Sequence, residues 1–449
     1  MLRRKITSQL ENWYKTSPQT ALCIFGARQV GKTTVAQAFA RQNFQKMVEL
    51  NFLLEPGAAR IFKTAESCTQ LLERISLFKD TSIVPGNTLL LLEEIQECPA
   101  ARTAVKGLVL DGTVRVIETG SLLGVRISEI KSHPVGYEEY LNMYPLDFEE
   151  FLWAAGVQEE TLNHLKQAFD ARVPVDAYIH HRLLDLWRYY LIVGGMPAVC
   201  QEFFTTRDLP EVVHLQRQIV ESYRSDIAKY ADKTQRPRIL EVFESIPPQL
   251  ASQNLRFYLS EIRKGARMAE FEQGLDWIIK AGIALPSYNV TEPQIPLELN
   301  EKRSLFRLFF LDTGLLCSCY PGIQLPILQN EPDANWGAVL ENAAAQSLVS
   351  AGFQLFYFSS KKYGELDFVL QKGQSVVPVE MKSGSSFHPH PALNKVLQAA
   401  NWTFAQPVVF CTGNVHEQDG ILYLPWYMLM FLEPEPVPSF SFEALDLPL

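Results

Sequence analysis

Residues 21–34 read Ala21-Leu-Cys-Ile-Phe-Gly26-Ala-Arg-Gln-Val-Gly31-Lys32-Thr33-Thr34. Five apolar residues at the start predict a strand, and Val35, Ala38 and Phe39 follow at helical spacing. A glycine-bounded loop therefore lies between a strand and a helix, in the pattern G-x-x-x-x-G-K-T. The glycines let the backbone curl so that successive N–H groups point inward at a phosphate, and the helix N-terminus adds a favourable dipole. Gly26, Ala27, Arg28, Gln29, Val30, Gly31, Lys32, Thr33 and Thr34 are thus expected to cradle ATP. Lys32 supplies a point charge for the β- and γ-phosphates, and Thr33 a hydroxyl for Mg²⁺.

Working outward, residues 47–52, 88–92 and 114–117 are further apolar runs separated by helical patterns. Strands of this kind belong in a parallel sheet covered on both faces, so the fold class of this stretch is α/β. The run of leucines at 89–92 buries its strand, and only the end can carry charge. That end is Glu93-Glu94: Glu93 is expected in the Mg²⁺ shell and Glu94 to activate the attacking water. The next strand closes on Thr119-Gly120-Ser121, which sets the hydroxyls of Thr119 and Ser121 beside the expected γ-phosphate position.

The whole chain has 449 residues, 47% hydrophobic, 11% aromatic and 20% charged, which predicts about three packed domains and excludes a disordered chain. Its 41 Lys+Arg against 50 Asp+Glu give a formal net charge of −9. That disfavours coating nucleic acid by bulk positive charge while leaving room for a local basic groove. No run approaches the roughly 18 apolar residues that cross a bilayer, so no membrane partner is expected. Seven scattered cysteines, an odd number, are expected as reduced thiols in a cytoplasmic protein.

Residues 156–232 read as helical, with 168–190 the run expected to be free of breakers. Ile239, Val242, Phe243 and Ile246 form one apolar helix face, and Phe271, Leu275, Ile278 and Ile279 another. Strands at 283–290 and 305–311 complete the parts list of a winged helix-turn-helix. Arg256, Arg263, Lys264 and Arg267 offer charge to a DNA backbone, but Glu261, Glu270 and Glu272 interleave as on an ordinary solvated face. Three prolines in residues 321–332 predict a linker, and the tail from Glu433 is expected to be extended.

Residues 364–382 read as a hairpin closed around Lys372-Gly373. Side chains alternate along a strand, so Glu365 and Asp367 share a face, as do Glu380 and Lys382, and pairing brings Asp367 toward Glu380. Two carboxylates beside a lysine suit a hard divalent cation held by Asp367 and Glu380, and the chemistry of phosphodiester hydrolysis. Lys361, Lys362, Lys382 and Lys395 are available to line a groove around them. His388 and His390, in a His-Pro-His loop, read as surface.

Several motifs together resemble one bacterial and archaeal family of AAA-type ATP-binding proteins. They are Gly26-Ala-Arg-Gln-Val-Gly-Lys-Thr-Thr34, Leu92-Glu-Glu-Ile-Gln96, Thr119-Gly-Ser121, Tyr144-Pro-Leu-Asp-Phe-Glu-Glu-Phe-Leu152 and Val193-Gly-Gly-Met-Pro197. The resemblance implies a P-loop ATPase core over residues 1–155 and a helical segment over 156–232. A winged-helix-like domain over 233–320, a linker over 321–336 and a restriction-endonuclease-like domain over 337–449 follow. It also implies γ-phosphate sensing at Thr119 or Ser121. Asp367, twelve residues and then Glu380-Met-Lys382 are similar to the active-site pattern of restriction-endonuclease-like nucleases, with Glu341 matching their helical glutamate. Glu341, Asp367, Glu380 and Lys382 are therefore the expected catalytic set there. Two positions depart from the family: Glu93 replaces the usual Asp, and Gly136-Tyr137 replaces Gly-Arg, which puts assembly-driven hydrolysis in doubt.

For the two family signatures, Asp147 is placed to cap a helix with Glu149 and Glu150 in its first turn, and Gly194-Gly195 marks a tight backbone approach. The sequence thus supports an ATPase coupled to a DNA-directed, nuclease-like domain. The other class is a nucleotide-dependent switch or scaffold that binds a protein partner or a second copy of itself through an idle endonuclease-like fold.

Overall fold

The computed structural model describes residues 2–120, 136–252, 255–331, 334–384 and 387–435, so Ser121 and the tail beyond residue 435 lie outside the described residues. The N-terminal strands are β1 (Ala21–Phe25), β2 (Lys46–Asn51), β3 (Thr88–Glu93), β4 (Arg115–Thr119) and β5 (Glu138–Asn142). They form a sheet of order β2-β3-β4-β1-β5 in which every pairing is parallel. Leu89 and Leu91 of β3 face one core, while Leu90 and Leu92 face the other, so both sides of the sheet are covered. β5 was not among the predicted strands, because its polar sequence Glu138-Glu-Tyr-Leu-Asn142 has no apolar run; pairing with β1 makes it a strand.

The helical stretch departs from expectation at one point. Residues 168–190 do not form one run: a helix Glu159–Ala171 ends on Arg172, whose φ of 55° is left-handed, and the next helix starts at Ala177. Pro174 interrupts the backbone ladder there, and Asp176 accepts hydrogen bonds from the Tyr178 and Ile179 amides to begin the helix Ala177–Val193. A helix Pro197–Thr206 and the long helix Leu209–Tyr230 follow.

The hairpin β6 (Ala284–Val290) and β7 (Glu301–Phe310) forms after the helices Arg236–Leu250 and Met268–Lys280. It does not stand apart as a wing. β6 pairs in parallel with β8 (Phe356–Ser360), and β8 pairs with β9 (Gly364–Leu366), giving the order β7-β6-β8-β9. The boundary expected at residues 321–336 is therefore crossed by a sheet. The expected linker also holds a short helix, Gln324–Gln329, whose Ile327 is buried: proline restricts the first turn of a helix least.

β10 (Phe368–Lys372), β11 (Ser375–Met381), β12 (Val408–Cys411), β13 (His416–Gln418) and β14 (Ile421–Pro425) form a third sheet of order β10-β11-β12-β14-β13. The expected hairpin is β10–β11, but Glu365 belongs to β9 in the neighbouring sheet. The chain changes sheets at Asp367. His390 is buried rather than on the surface, with Nε2 2.6 Å from the Tyr423 hydroxyl. Among the described residues, no helix is long and apolar enough to cross a membrane.

Candidate functional site

The parallel ladder brings the C-terminal ends of β1, β3 and β4 to one edge, where ligands of open α/β sheets bind. Gly26 follows β1, and Glu93 stands in register with Thr119. Gly26 and Gly31 have φ of 144° and 97°, and Gln29 between them 67°. A Cβ on Gly26 would lie 2.2 Å from the Met143 carbonyl oxygen, so no other residue fits. From behind, Arg4 donates to the Val30 carbonyl (2.9 Å), the Tyr144 carbonyl (2.6 Å) and Glu150 (3.1 Å). Asp147 and Glu150 form a capping box on the helix Phe148–Ala154, and Arg4 ties Tyr144 and Glu150 of this signature to the Val30 carbonyl of the loop.

Lys32 is buried, and its Nζ donates to the carbonyls of Gly26 (2.9 Å) and Ala27 (2.8 Å). Burial pushes its pKa down to about 8, partly offset by Glu94 and reinforced by Arg28. A buried ammonium bonded to carbonyls is a cation that an incoming phosphate would stabilise. Glu93 is buried as well; burial raises its carboxyl pKa against hydrogen bonds from Thr33 and Asn51. Asn51 Nδ2 lies 3.0 Å from Glu93 Oε2, while Oε1 is buried with no hydrogen-bond partner of normal geometry. An orphaned carboxylate oxygen next to Thr33 fits a hydrated Mg²⁺. Glu94 follows with a left-handed φ of 50° and accepts a hydrogen bond from Gln96. Backbone strain of this kind collects at functional sites.

In the C-terminal sheet, the Phe368–Val379 register sets Asp367 opposite Glu380. Asp367 Oδ2 accepts from the Met381 amide (2.8 Å), and Lys382 Nζ lies 3.2 Å from Glu380 Oε2. Burial, then the charge of Asp367, raises the Glu380 pKa to about 8. Burial and Asp367 raise Glu341 well above its usual range, against the pull of Arg307. Glu380 Oε1 has no partner. Among the described residues no group of three or more Asp, Glu, His or Cys side chains is arranged to hold a metal. The pair Asp367 and Glu380 still fits Mg²⁺, which commonly takes one or two carboxylates and keeps several waters. Lys361, Lys362 and Lys395 are exposed, and Gly364 at the start of β9 abuts Ala392 of the helix Pro391–Leu397 that carries Lys395.

Residues 18–152 match the AAA domain family. Residues 184–325 and 336–429 match two families described as domains of unknown function, DUF8612 and DUF4143. Comparison with curated proteins finds no match. Similar solved structures include the Walker-type ATPase paby2304 of Pyrococcus abyssi, at 14% identity over 71% of this chain and 95% of that one, with a TM-score of 0.42. The ADP form of Aeropyrum pernix ORC2 aligns at 13% identity over 73% and 93%, TM-score 0.27. Cdc6p of Pyrobaculum aerophilum aligns at 10% over 73% and 92%, TM-score 0.24.

The structure places Lys32, Thr33, Glu93, Glu94 and Thr119 in one neighbourhood at the C-terminal edge of the N-terminal sheet. It adds Asn51, which sequence reasoning missed. The C-terminal cluster brings together Glu341, Asp367, Glu380 and Lys382, and adds Arg307 and Glu365. Arg307, from β7, is 1% exposed; it pairs with Glu365, lies 3.4 Å from Glu341 and donates to the Asp367 carbonyl (3.2 Å). Its signal was present in the sequence: a lone charge in Leu305-Phe-Arg-Leu-Phe-Phe310 must find a partner if the strand is buried.

Proposed function

We propose that the chain is an ATP-binding, Mg²⁺-dependent ATPase whose nucleotide state is transmitted to a DNA-directed, nuclease-like C-terminal domain. The observation that supports the first half is the buried Lys32, bonded to the carbonyls of Gly26 and Ala27 and within the electrostatic reach of Glu93 and Glu94, beside a loop in which Gly26 and Gly31 have positive φ. Lys32 supplies charge to the terminal phosphates, and Thr119 a hydroxyl beside them. Glu94 accepts the proton of the attacking water. Bound Mg²⁺ would supply charge neutralisation at the phosphates, with Thr33 and Glu93 holding its shell.

Support for coupling comes from a buried chain of contacts. The Leu146 amide donates to the Gly195 carbonyl (2.7 Å), and the Tyr190 hydroxyl donates to the Leu146 carbonyl (2.9 Å). The Gly195 amide donates to Asp312 Oδ2 (2.6 Å), and Gln346 Nε2 donates to both the Tyr190 hydroxyl (3.1 Å) and Asp312 (3.3 Å). Gln346 lies on the helix Gly337–Ser350, which also carries Glu341. One hydrogen-bonded junction thus touches the N-terminal domain, the helical stretch, the segment that follows β7 and the helix Gly337–Ser350.

Arg307 favours the second reading, a switch that binds another protein through an idle fold, because its guanidinium already neutralises Glu341 and Glu365. Phosphate release and DNA cleavage with Mg²⁺ or Mn²⁺, each with and without ATP, separate the two. Lys32→Ala is expected to abolish ATP turnover, and Glu94→Gln to slow it by about a hundred-fold or more. Asp367→Ala is expected to abolish cleavage; equal background cleavage in wild type and Asp367→Ala leaves the switch reading.

A further inference from the structure

Arg28 sits in the phosphate loop between the two glycines, yet its ion pair is made outside the loop and not with Glu93 or Glu94. Its guanidinium pairs with Asp226, in the last turn but one of the helix Leu209–Tyr230. The same helix reads the loop twice more. The Tyr223 hydroxyl donates to the Arg28 carbonyl (3.1 Å), and Gln29 Nε2 donates to Ser222 Oγ (3.2 Å). Arg28, Asp226, Lys32 and Glu94 share one electrostatic neighbourhood: Arg28 acts on Lys32, and Glu94 acts on both Lys32 and Asp226. That is the end of the loop where Lys32 and Glu94 await the terminal phosphate.

The two partners differ in freedom. The Arg28 side chain is 42% exposed and Asp226 only 6%, so the arginine can swing and the aspartate cannot. A phosphate offers the planar guanidinium the same two-pronged partner that a carboxylate does, with more charge. Once Arg28 leaves, Asp226 is a buried carboxylate without its cation, and the helix that carries it must shift or take up a proton. This helix reaches the glycine junction directly, since Gln216 donates to the carbonyls of Ile192 (2.7 Å) and Val193 (2.9 Å), beside Gly194.

We infer that Arg28 discriminates nucleoside triphosphate from diphosphate: it pairs with Asp226 when no terminal phosphate is present and transfers to that phosphate when one is bound. The inference rests on the nucleotide reading of the loop. Release of Asp226 is then what the helix Leu209–Tyr230 senses. Arg28 is a specificity-determining residue and Asp226 its positioning partner.

The test is equilibrium binding of fluorescent ATP and ADP analogues with Mg²⁺ to the full chain, in wild type, Arg28→Gln, Arg28→Lys and Asp226→Asn. Arg28→Gln is expected to weaken ATP about ten-fold or more and ADP by less than about three-fold. Arg28→Lys, which keeps charge but not the fork, should lie between. Asp226→Asn, which frees Arg28, should tighten ATP relative to ADP and provides an independent measurement if the Arg28 variants do not fold. Equal changes for ATP and ADP in both Arg28→Gln and Asp226→Asn overturn the inference alone. Failure of the wild type to bind either analogue overturns the nucleotide reading and the inference with it.

Discussion

Arg307 places a fixed positive charge between Glu341 and Glu365, inside a cluster that also holds Asp367, Glu380 and Lys382. Its aromatic neighbour Tyr357, with the guanidinium 4.5 Å from the ring centroid, seals one side. Removing one partner of a buried pair leaves the other uncompensated. Arg307→Leu is therefore expected to lower the unfolding free energy by about 3–5 kcal/mol at pH 7.5, read by chemical denaturation. Adding Glu341→Gln should recover part of that loss; a loss under about 1 kcal/mol would show instead that Glu341 is already protonated. At this scale the nucleotide loop was legible in the sequence because its signal is local: eight consecutive residues carry both geometry and charge. Asp226 was not, because nothing in Tyr223-Arg-Ser-Asp226 distinguishes it from a solvated helix face; only the packing of the helix against the loop gives it a partner.

Among the elements, the tight turn Gly194-Gly195 shows how a backbone constraint ties segments together. A Cβ on Gly195 would lie 2.0 Å from the Leu146 carbonyl oxygen, and one on Gly194 2.2 Å from Asp312. Asp312 is fully buried and its pKa rises from 3.8 to about 6 through burial, opposed by hydrogen bonds from Gly195 and Leu315. The folded state then holds a proton that the unfolded chain has released, so this group's contribution to stability is lost as pH rises from about 4 to about 6. Asp312→Asn should remove that slope, measured by denaturation at several pH values. At pH 7 it should cost about 1–3 kcal/mol, because an amide cannot accept from both the Gly195 and Leu315 amides. A variant that keeps the wild-type slope would place the titration elsewhere. The double glycine announced a close approach in the sequence, whereas the partner Asp312 did not, since it lies more than a hundred residues away.

Over the whole molecule, the sheet β7-β6-β8-β9 joins the middle hairpin to the C-terminal strands, and the glycine junction joins both to the N-terminal domain through Leu146. The three-proline stretch suggested a division because proline is read locally, while strand pairing between Tyr288 and Phe356 is set by contacts distant in the chain. Four strands of the parallel N-terminal sheet were legible for the opposite reason, because apolar runs mark buried strands wherever they pair, whereas the polar β5 becomes a strand only by pairing with β1. The coupling proposed above requires that nucleotide binding at the loop reach the carboxylate cluster. Its most direct test is amide hydrogen exchange of the full chain with and without Mg-ATP, with Lys32→Ala as control. Slowed exchange is expected at residues 26–34 and a change at residues 312–318 and 337–350, both absent in Lys32→Ala. Protection confined to residues 26–34, with residues 312–318 and 337–350 unchanged, would contradict it.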